Sequence, residues 1–288
     1  MLGMKPTYLQ QSLKENLIQR WPDGAMPIKV YIAPFQWYER KKQQEAYMYR
    51  QLVLDSLQVW QQATDNKVKF LVVNNLDSSQ IDFKWRRVDR KSLGHCVRET
   101  NKNNQIFSCE ISIGISDGVL HVAYEHQNEV RHTIIHEIGH ALGLEHSDSP
   151  NDIMYVPHEY GIFNLSERDK LTAKWLYEFP IGYDYRTTIS KYQLSPPHDI
   201  NRVIAHLMGE HLDGENMTEA ESTSAFDKIS AMKQQAAVDN PAALEAHHDI
   251  LTQMNAMAMQ TQHIQLSKAQ REKLLHAKFF NHKNKPTQ

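Results

Sequence analysis

The chain has 288 residues, 41% of them hydrophobic, and its 32 basic and 34 acidic residues give a formal net charge of −2. This length predicts about two domains, and the apolar content is enough for a sizeable core. No long run of one charge indicates nucleic-acid binding, and no run of about 18 apolar residues indicates a membrane-spanning helix. We therefore expect neither nucleic acid nor a membrane among its partners.

Residues 1–24 precede the first predicted strand and are predicted to be an N-terminal extension. Charged residues are scattered through residues 1–20, and no apolar stretch there is followed by a small-residue cleavage site. This is not the pattern of a secretory signal peptide. We therefore expect a cytoplasmic protein, or one that is exported without a classical signal peptide.

The next part of the chain carries strand and helix patterns in a regular order. Alternating apolar and polar residues predict a strand over residues 27–33. An amphipathic pattern predicts a long helix over residues 40–64. Three more strands and a second helix are predicted over residues 68–73, 81–85, 109–115 and 128–142. The predicted order is therefore strand, helix, three strands, helix.

The second helix leads into the most informative stretch of the chain, which reads His136-Glu137-Ile138-Gly139-His140-Ala141-Leu142-Gly143-Leu144-Glu145-His146. His136 and His140 are four residues apart, so on a helix they share one face and can reach a single metal ion. Gly143 permits the chain to turn, since glycine tolerates the left-handed conformation that often ends a helix. His146 can then approach from another direction and complete three protein ligands.

Three histidine ligands leave a fourth position on zinc for water, which distinguishes a catalytic site from a closed structural one. Glu137 follows the first ligand and is offset around the helix, so it is placed to contact that water as a general base. A short H-E-x-x-H match arises by chance in many helices, but Gly143 and His146 extend this one. The stretch therefore predicts a zinc hydrolase.

Other histidines leave alternatives open. His132 lies one turn before His136 and offers a second pair at the same spacing, but no glutamate and no third ligand accompany it. We predict that His132 shares the polar stripe without binding metal. Four further residues have ligand chemistry without a recognisable metal-site spacing: His95, Asp117, His121 and His126. We expect one catalytic zinc ion and no additional structural calcium or zinc.

The stretch from His136 to His146 resembles the signature of the metzincin metallopeptidases, which a methionine turn follows. The segment Asp152-Ile153-Met154-Tyr155 resembles that turn. Ser147, and Leu165-Ser166-Glu167-Arg168-Asp169 leading into Trp175-Leu176-Tyr177, are most similar to the matrixin branch. The resemblance covers about residues 25–178 and agrees with the predicted element order. It implies an α+β catalytic domain over residues 25–180, with a twisted mixed sheet, a long helix, an active-site helix and a small lower subdomain.

The resemblance also implies an activity and further site residues. It implies a zinc endopeptidase that hydrolyses peptide bonds with a metal-activated water and Glu137 as general base, while Met154 packs beneath the ligands. Tyr155, Pro157 and Tyr160 are candidate substrate contacts, although the proline and tyrosine are spaced one residue wider than usual. An extended substrate is expected to pair with an edge strand, for which we nominate residues 109–115. An ordinary half-buried strand is the alternative there.

Beyond residue 180 the composition changes. Residues 181–198, with Pro196-Pro197, are predicted to be a linker. Residues 199–288 are predicted to be an all-α region of unknown role that could bind a protein partner. Its candidate helices cover residues 199–212, 218–238, 241–260 and 267–280. The rival function is therefore a metzincin-like binding scaffold with little turnover, but a scaffold needs no general base, and Glu137 is present.

Cys96 and Cys109 are the two cysteines of the chain. Two cysteines do not make a disulfide framework. We expect free, partly buried thiols, with pairing across a hairpin as the alternative in an oxidising compartment.

Overall fold

The computed structural model describes residues 6–35, 43–89, 91–116 and 126–208, with side chains from residue 47 onward in the first helix. The main elements in chain order are β1 (Ile28–Ile32), α1 (Gln43–Ala63), β2 (Phe70–Val73), β3 (Ile81–Arg87), β4 (Gly94–Thr100), β5 (Ile106–Ile115), α2 (Gln127–Leu142), α3 (Glu167–Glu178), α4 (Tyr185–Tyr192) and α5 (Ile200–Met208). The described strands form one mixed sheet that helices accompany, which confirms the predicted α+β class.

The sheet has five strands in the order β2-β1-β3-β5-β4. The first four in this order are parallel, with Ile28 opposite Phe70 and Ile81 opposite Cys109. β4 is antiparallel to β5 and places Gly94 opposite Ile113. It lies at one edge of the sheet.

Two predictions about the strands were wrong. The order is strand, helix, four strands, helix, because β4 was missed. Residues 109–115 are not at an edge, since they belong to β5, which lies between β3 and β4. β4 escaped prediction because an edge strand that is partly exposed on both faces needs few apolar residues, and its sequence is mostly polar.

The active-site helix α2 is central rather than amphipathic. Twelve of its sixteen residues are buried. α2 packs against β4, β5 and α1. The indole N–H of Trp60 in α1 donates to the Ile135 carbonyl at 2.9 Å, and that of Trp21 donates to the Ala141 carbonyl at 2.8 Å. These bonds satisfy buried donors and hold the helix in one position.

The segments before β1 and after α3 contact the same core. Tyr8 is fully buried, and its hydroxyl donates to Asp169 Oδ1 at 2.8 Å. Thr7 N–H donates to Asn201 Oδ1 of α5 at 2.9 Å. The predicted linker over residues 181–198 contains the helix α4. The domain boundaries stay predictions, but residues 6–24 and 185–208 are packed parts of this fold.

α5 begins within one residue of its predicted start. The candidate helices over residues 218–238, 241–260 and 267–280 lie outside the described residues. Among the described helices, none is both long and apolar enough to cross a membrane.

Candidate active site

The end of α2 is built around Gly143. The helix ends at Leu142, and Gly143 turns the chain in the left-handed conformation, with φ 112°. A Cβ at this position would lie 2.7 Å from the carbonyl oxygen of Gln19. Both the dihedral angle and the space therefore require glycine. The turn brings His146 back toward His140.

The three predicted metal ligands meet at this turn. His136, His140 and His146 each offer one ring nitrogen, and these atoms all lie within 4.8 Å of one another. The Nδ1 atom of His136 lies 2.8 Å from the Ile153 carbonyl, and that of His140 lies 2.8 Å from the Leu144 carbonyl. Because a carbonyl only accepts, both Nδ1 atoms carry the proton, and both Nε2 atoms keep their lone pairs.

This donor set fits zinc. Nε2 of His140 and Nε2 of His146 are 3.2 Å apart. Two nitrogens bound to one tetrahedral zinc at roughly 2.0–2.1 Å are about 3.3 Å apart. Two lone pairs at this separation repel each other unless a cation or a proton lies between them. Three imidazoles that converge in this way form a site for one divalent ion.

Burial keeps the ligands in the form that binds metal. It lowers the pKa of His136 to about 3, and it lowers the pKa of His140 to about 3. A buried imidazole resists protonation because the charged form loses its hydration. Both rings are therefore neutral near pH 7, as metal coordination requires.

The side chain of Glu137, a residue of α2, packs against β4. A Cβ at Gly94 of β4 would come too close to Glu137 Oε1, so the carboxylate lies directly against the strand backbone. Glu137 and the three imidazoles line one cavity. Burial raises the pKa of Glu137 to about 8, whereas the positive charge of Arg86 acts in the opposite direction. A cation at the triad would likewise favour the carboxylate form.

Met154 lies beneath the helix turn that carries the ligands. It is fully buried, and a Cβ at Gly139 would collide with its sulfur. The neighbouring Ile153 supplies the carbonyl that orients His136. The segment around Met154 therefore supports the site by packing and by a hydrogen bond.

A buried polar network below Met154 was not predicted. Asp152 accepts hydrogen bonds from the hydroxyls of Ser147 and Ser166 and from Arg168 at 2.9 Å. Asp169 accepts from the N–H of Ile153 at 2.8 Å. Ser166 and Asp169 also form a capping box at the start of α3, and that S-x-x-D pattern was the available sequence signal.

Arg98 of β4 is a second supporting residue that the sequence did not reveal. Its guanidinium donates to the His140 carbonyl at 2.7 Å and to the Leu144 carbonyl at 3.3 Å, and it pairs with Glu145. These acceptors surround the turn at Gly143. Arg98 thus gives the carbonyls of His140 and Leu144 a further donor and ties β4 to the turn at the end of α2.

The cavity beside the triad has a volume of about 660 Å³. Its walls are α2, β4 and the segment over residues 155–160. Tyr155, Pro157 and Tyr160 all line it, as candidate substrate contacts should, and their contact with substrate stays a prediction.

The remaining candidate ligands that the structure describes do not join the triad. His132 lines the cavity, and its Nδ1 lies 2.7 Å from the Ile162 carbonyl. His95 also lines the cavity, and His126 precedes α2. Asp117 and His121 lie outside the described residues. Within the described part of the chain, the triad is the one group of three such side chains close enough to share an ion.

Known proteins are similar in sequence to this part of the chain. The family model described as Matrixin matches residues 34–178, about half of the chain. A probable matrix metalloproteinase 095L from Invertebrate iridescent virus 3 is 44% identical over 50 residues, which are 17% of this chain and 14% of that protein. Matrix metalloproteinase-15 of Homo sapiens is 43% identical over 60 residues, 20% of this chain and 9% of its own. The macrophage metalloelastase of Rattus norvegicus is 42% identical over 50 residues, 16% and 11% of the two chains. The matched stretches thus span only a small share of these relatives.

Proposed function

This chain belongs to the matrixin family, and on that basis we propose that it is a zinc-dependent endopeptidase that hydrolyses peptide bonds with Glu137 as general base. The single observation that carries the proposal is the convergence of three imidazoles beside the buried side chain of Glu137 in one cavity. His136, His140 and His146 would hold the zinc ion.

A zinc ion held by three histidines polarises a carbonyl and lowers the pKa of water to about 7. The chain's own contribution to proton transfer is Glu137. Its carboxylate would accept a proton from the attacking water and deliver it to the departing amine. Such general acid–base catalysis is typically worth roughly 10²–10⁴-fold.

The corrected sheet order changes the proposed substrate strand to β4. Gly94, His95, Cys96 and Arg98 of this strand line the cavity. The sheet order ends at β4, so among the described residues no strand pairs with its outer side. An extended peptide would add to that side by β-augmentation, with its backbone held by β4 and its scissile bond over the triad.

The test combines metal binding with cleavage. We expect the protein to bind one equivalent of zinc and to cleave members of an unbiased peptide library. Glu137→Gln should keep the zinc and lose activity by roughly 10²–10⁴-fold, because it removes the base and leaves the ligands. Glu167→Gln is the matched control, since that side chain is 86% exposed at the start of α3, and it should have no effect.

The rival scaffold function predicts a different result. If the wild-type protein binds zinc but cleaves no more than Glu137→Gln across the library and in host-cell extracts, binding is the better description. The region over residues 199–288, which the sequence predicts to be helical, would then be the first place to look for a protein partner.

A further inference from the structure

A second polar cluster borders the cavity on the side away from His140. It consists of Glu129, His132, His158 and Tyr160, and we call it the distal cluster. The ring centroids of His132 and His158 are 4.0 Å apart, and those of His158 and Tyr160 are 4.9 Å apart. All three rings line the same cavity as the triad.

Glu129 anchors this cluster from behind. Its side chain is only 7% exposed, and it accepts hydrogen bonds from His158 Nε2 at 2.8 Å and from the Gly161 N–H at 3.3 Å. A buried carboxylate is costly unless it is paired in this way. The Glu129 contact therefore fixes the orientation of the His158 ring.

His132 presents an acceptor rather than a donor. Its Nδ1 lies 2.7 Å from the Ile162 carbonyl and so must carry the proton, which leaves the lone pair on Nε2. Burial, and to a lesser extent His158, lowers the pKa of His132 to about 4, so the ring is neutral near pH 7. Because Nδ1 points toward Ile162, Nε2 is the polar atom left for the cavity side of the ring.

The wall of the cavity around the distal cluster carries both apolar and polar groups. Leu93, Val156 and Pro157 also line the cavity and suit an aliphatic stem. An apolar end group beside His132 would bury its lone pair without a donor, and an unsatisfied buried acceptor weakens binding. A site built to bond a polar group rejects an analogue that lacks it.

We propose that His132 is a specificity-determining residue, and that the distal cluster selects substrates in which a side chain flanking the scissile bond is long and ends in an N–H donor. The inference rests on the proposed peptidase function. The cavity runs from the triad to the distal cluster, so a residue whose peptide bond lies at the triad places its side chain within reach. Glutamine, methionine and glutamate are the matched probes, since they have similar length but end in a donor, an apolar group and an anion.

The experiment uses the full-length zinc-loaded protein. Library cleavage locates a scissile bond, and each of the two flanking residues is then replaced in turn by Gln, Met or Glu. For one of these positions we expect kcat/KM to be at least about tenfold higher with Gln than with Met, and lowest with Glu. An equal or higher value with Met at both positions would overturn the inference.

Two variants test His132 directly. His132→Asn keeps a donor for the Ile162 carbonyl but no longer reaches the position of Nε2, whereas His132→Leu removes both. In each variant the ratio of kcat/KM for Gln over Met should fall to about one or below. A purely structural role would lower both rates together and leave the ratio unchanged, and that outcome would also overturn the inference.

Binding separates this inference from the proposed function. Library peptides that differ only by Gln, Met or Glu at one position, chosen without reference to cleavage, are titrated into the zinc-loaded Glu137→Gln variant. Preferential binding of the Gln peptide without wild-type cleavage would support the inference and contradict peptidase activity. Cleavage without a Gln preference would do the reverse. Absence of both binding and cleavage would overturn both.

Discussion

The two halves of α2 carry the same residue type at the same spacing and build different sites. His132, His136 and His140 follow one another at four-residue intervals. All three turn Nδ1 toward a backbone carbonyl. At the C-terminal half the chain turns at Gly143 and returns a third imidazole. At the N-terminal half the segment over residues 155–162 supplies His158 and no further ligand to the metal.

The difference lies in how lone pairs are satisfied. At the triad, one ring nitrogen from each of three imidazoles converges, and the Nε2 atoms of His136 and His140 keep their lone pairs. In the distal cluster, a carboxylate and an imidazole already form a donor–acceptor pair. Helix spacing can therefore bring histidines into a row, but the partner segment decides whether they require a cation.

The largest expected effect is the loss of zinc from the triad, which would separate the two halves of α2 most clearly. His140→Ala should lose stoichiometric zinc and all measurable cleavage, because a three-ligand site cannot lose one ligand and hold its ion tightly. His132→Ala should keep one equivalent of zinc. Its zinc affinity should fall by no more than about 10–100-fold, the loss that is typical when a residue outside the ligand set is changed. Zinc content after dialysis and competition with a chelator measure both. Retention of zinc by His140→Ala, or its loss from His132→Ala, would contradict the assignment of metal binding to His140 and not to His132.

The next effect concerns the turn that makes the two halves different. Gly143→Ala places a Cβ 2.7 Å from a carbonyl oxygen at φ 112°, and we expect it to lower the free energy of unfolding by about 3 kcal/mol or more. Gly161→Ala is the matched control, since φ is 91° there but no atom lies within 4 Å of the added Cβ. It should cost only about 1 kcal/mol, the conformational part. Urea unfolding compares the two, and equal costs would show that the contact with Gln19 is unimportant.

The smallest expected effect is a pH dependence of stability that comes from His132 in the distal cluster. The pKa of His132 is lowered to about 4 by burial, so the unfolded chain takes up its proton at a higher pH than the folded protein does. The stability contributed by the neutral ring is complete above about pH 6.5 and is lost as the pH falls toward 4. Between about pH 7.5 and about pH 5 the wild-type protein should lose about 2 kcal/mol more than His132→Asn does.

Urea unfolding of both metal-free proteins at the two pH values measures this difference. The metal-free form avoids acid release of zinc, and the contributions of His136 and His140 are common to both proteins. Glu129, His158 and Tyr160, which surround His132, are also unchanged between them. Parallel pH dependences would mean that His132 takes up its proton equally in both states.

Much of the site could be predicted because its information is local. His136, Glu137 and His140 lie within five residues on one helix, and Gly143 is the one residue type that permits the following turn. Four of the five strands could be predicted from runs or alternations of apolar residues. β4 could not, since its sequence is mostly polar and its position depends on hydrogen bonds with β5 rather than on an apolar pattern.

The sequence by itself determined the metal chemistry, since helix periodicity and one glycine bring three imidazoles and a carboxylate together. Only the tertiary structure decided what surrounds them. It placed β4 at the sheet edge, Arg98 under the turn, and His158 against Glu129 across 29 positions of sequence. Such contacts join segments that meet only when the core forms, and no local spacing encodes them.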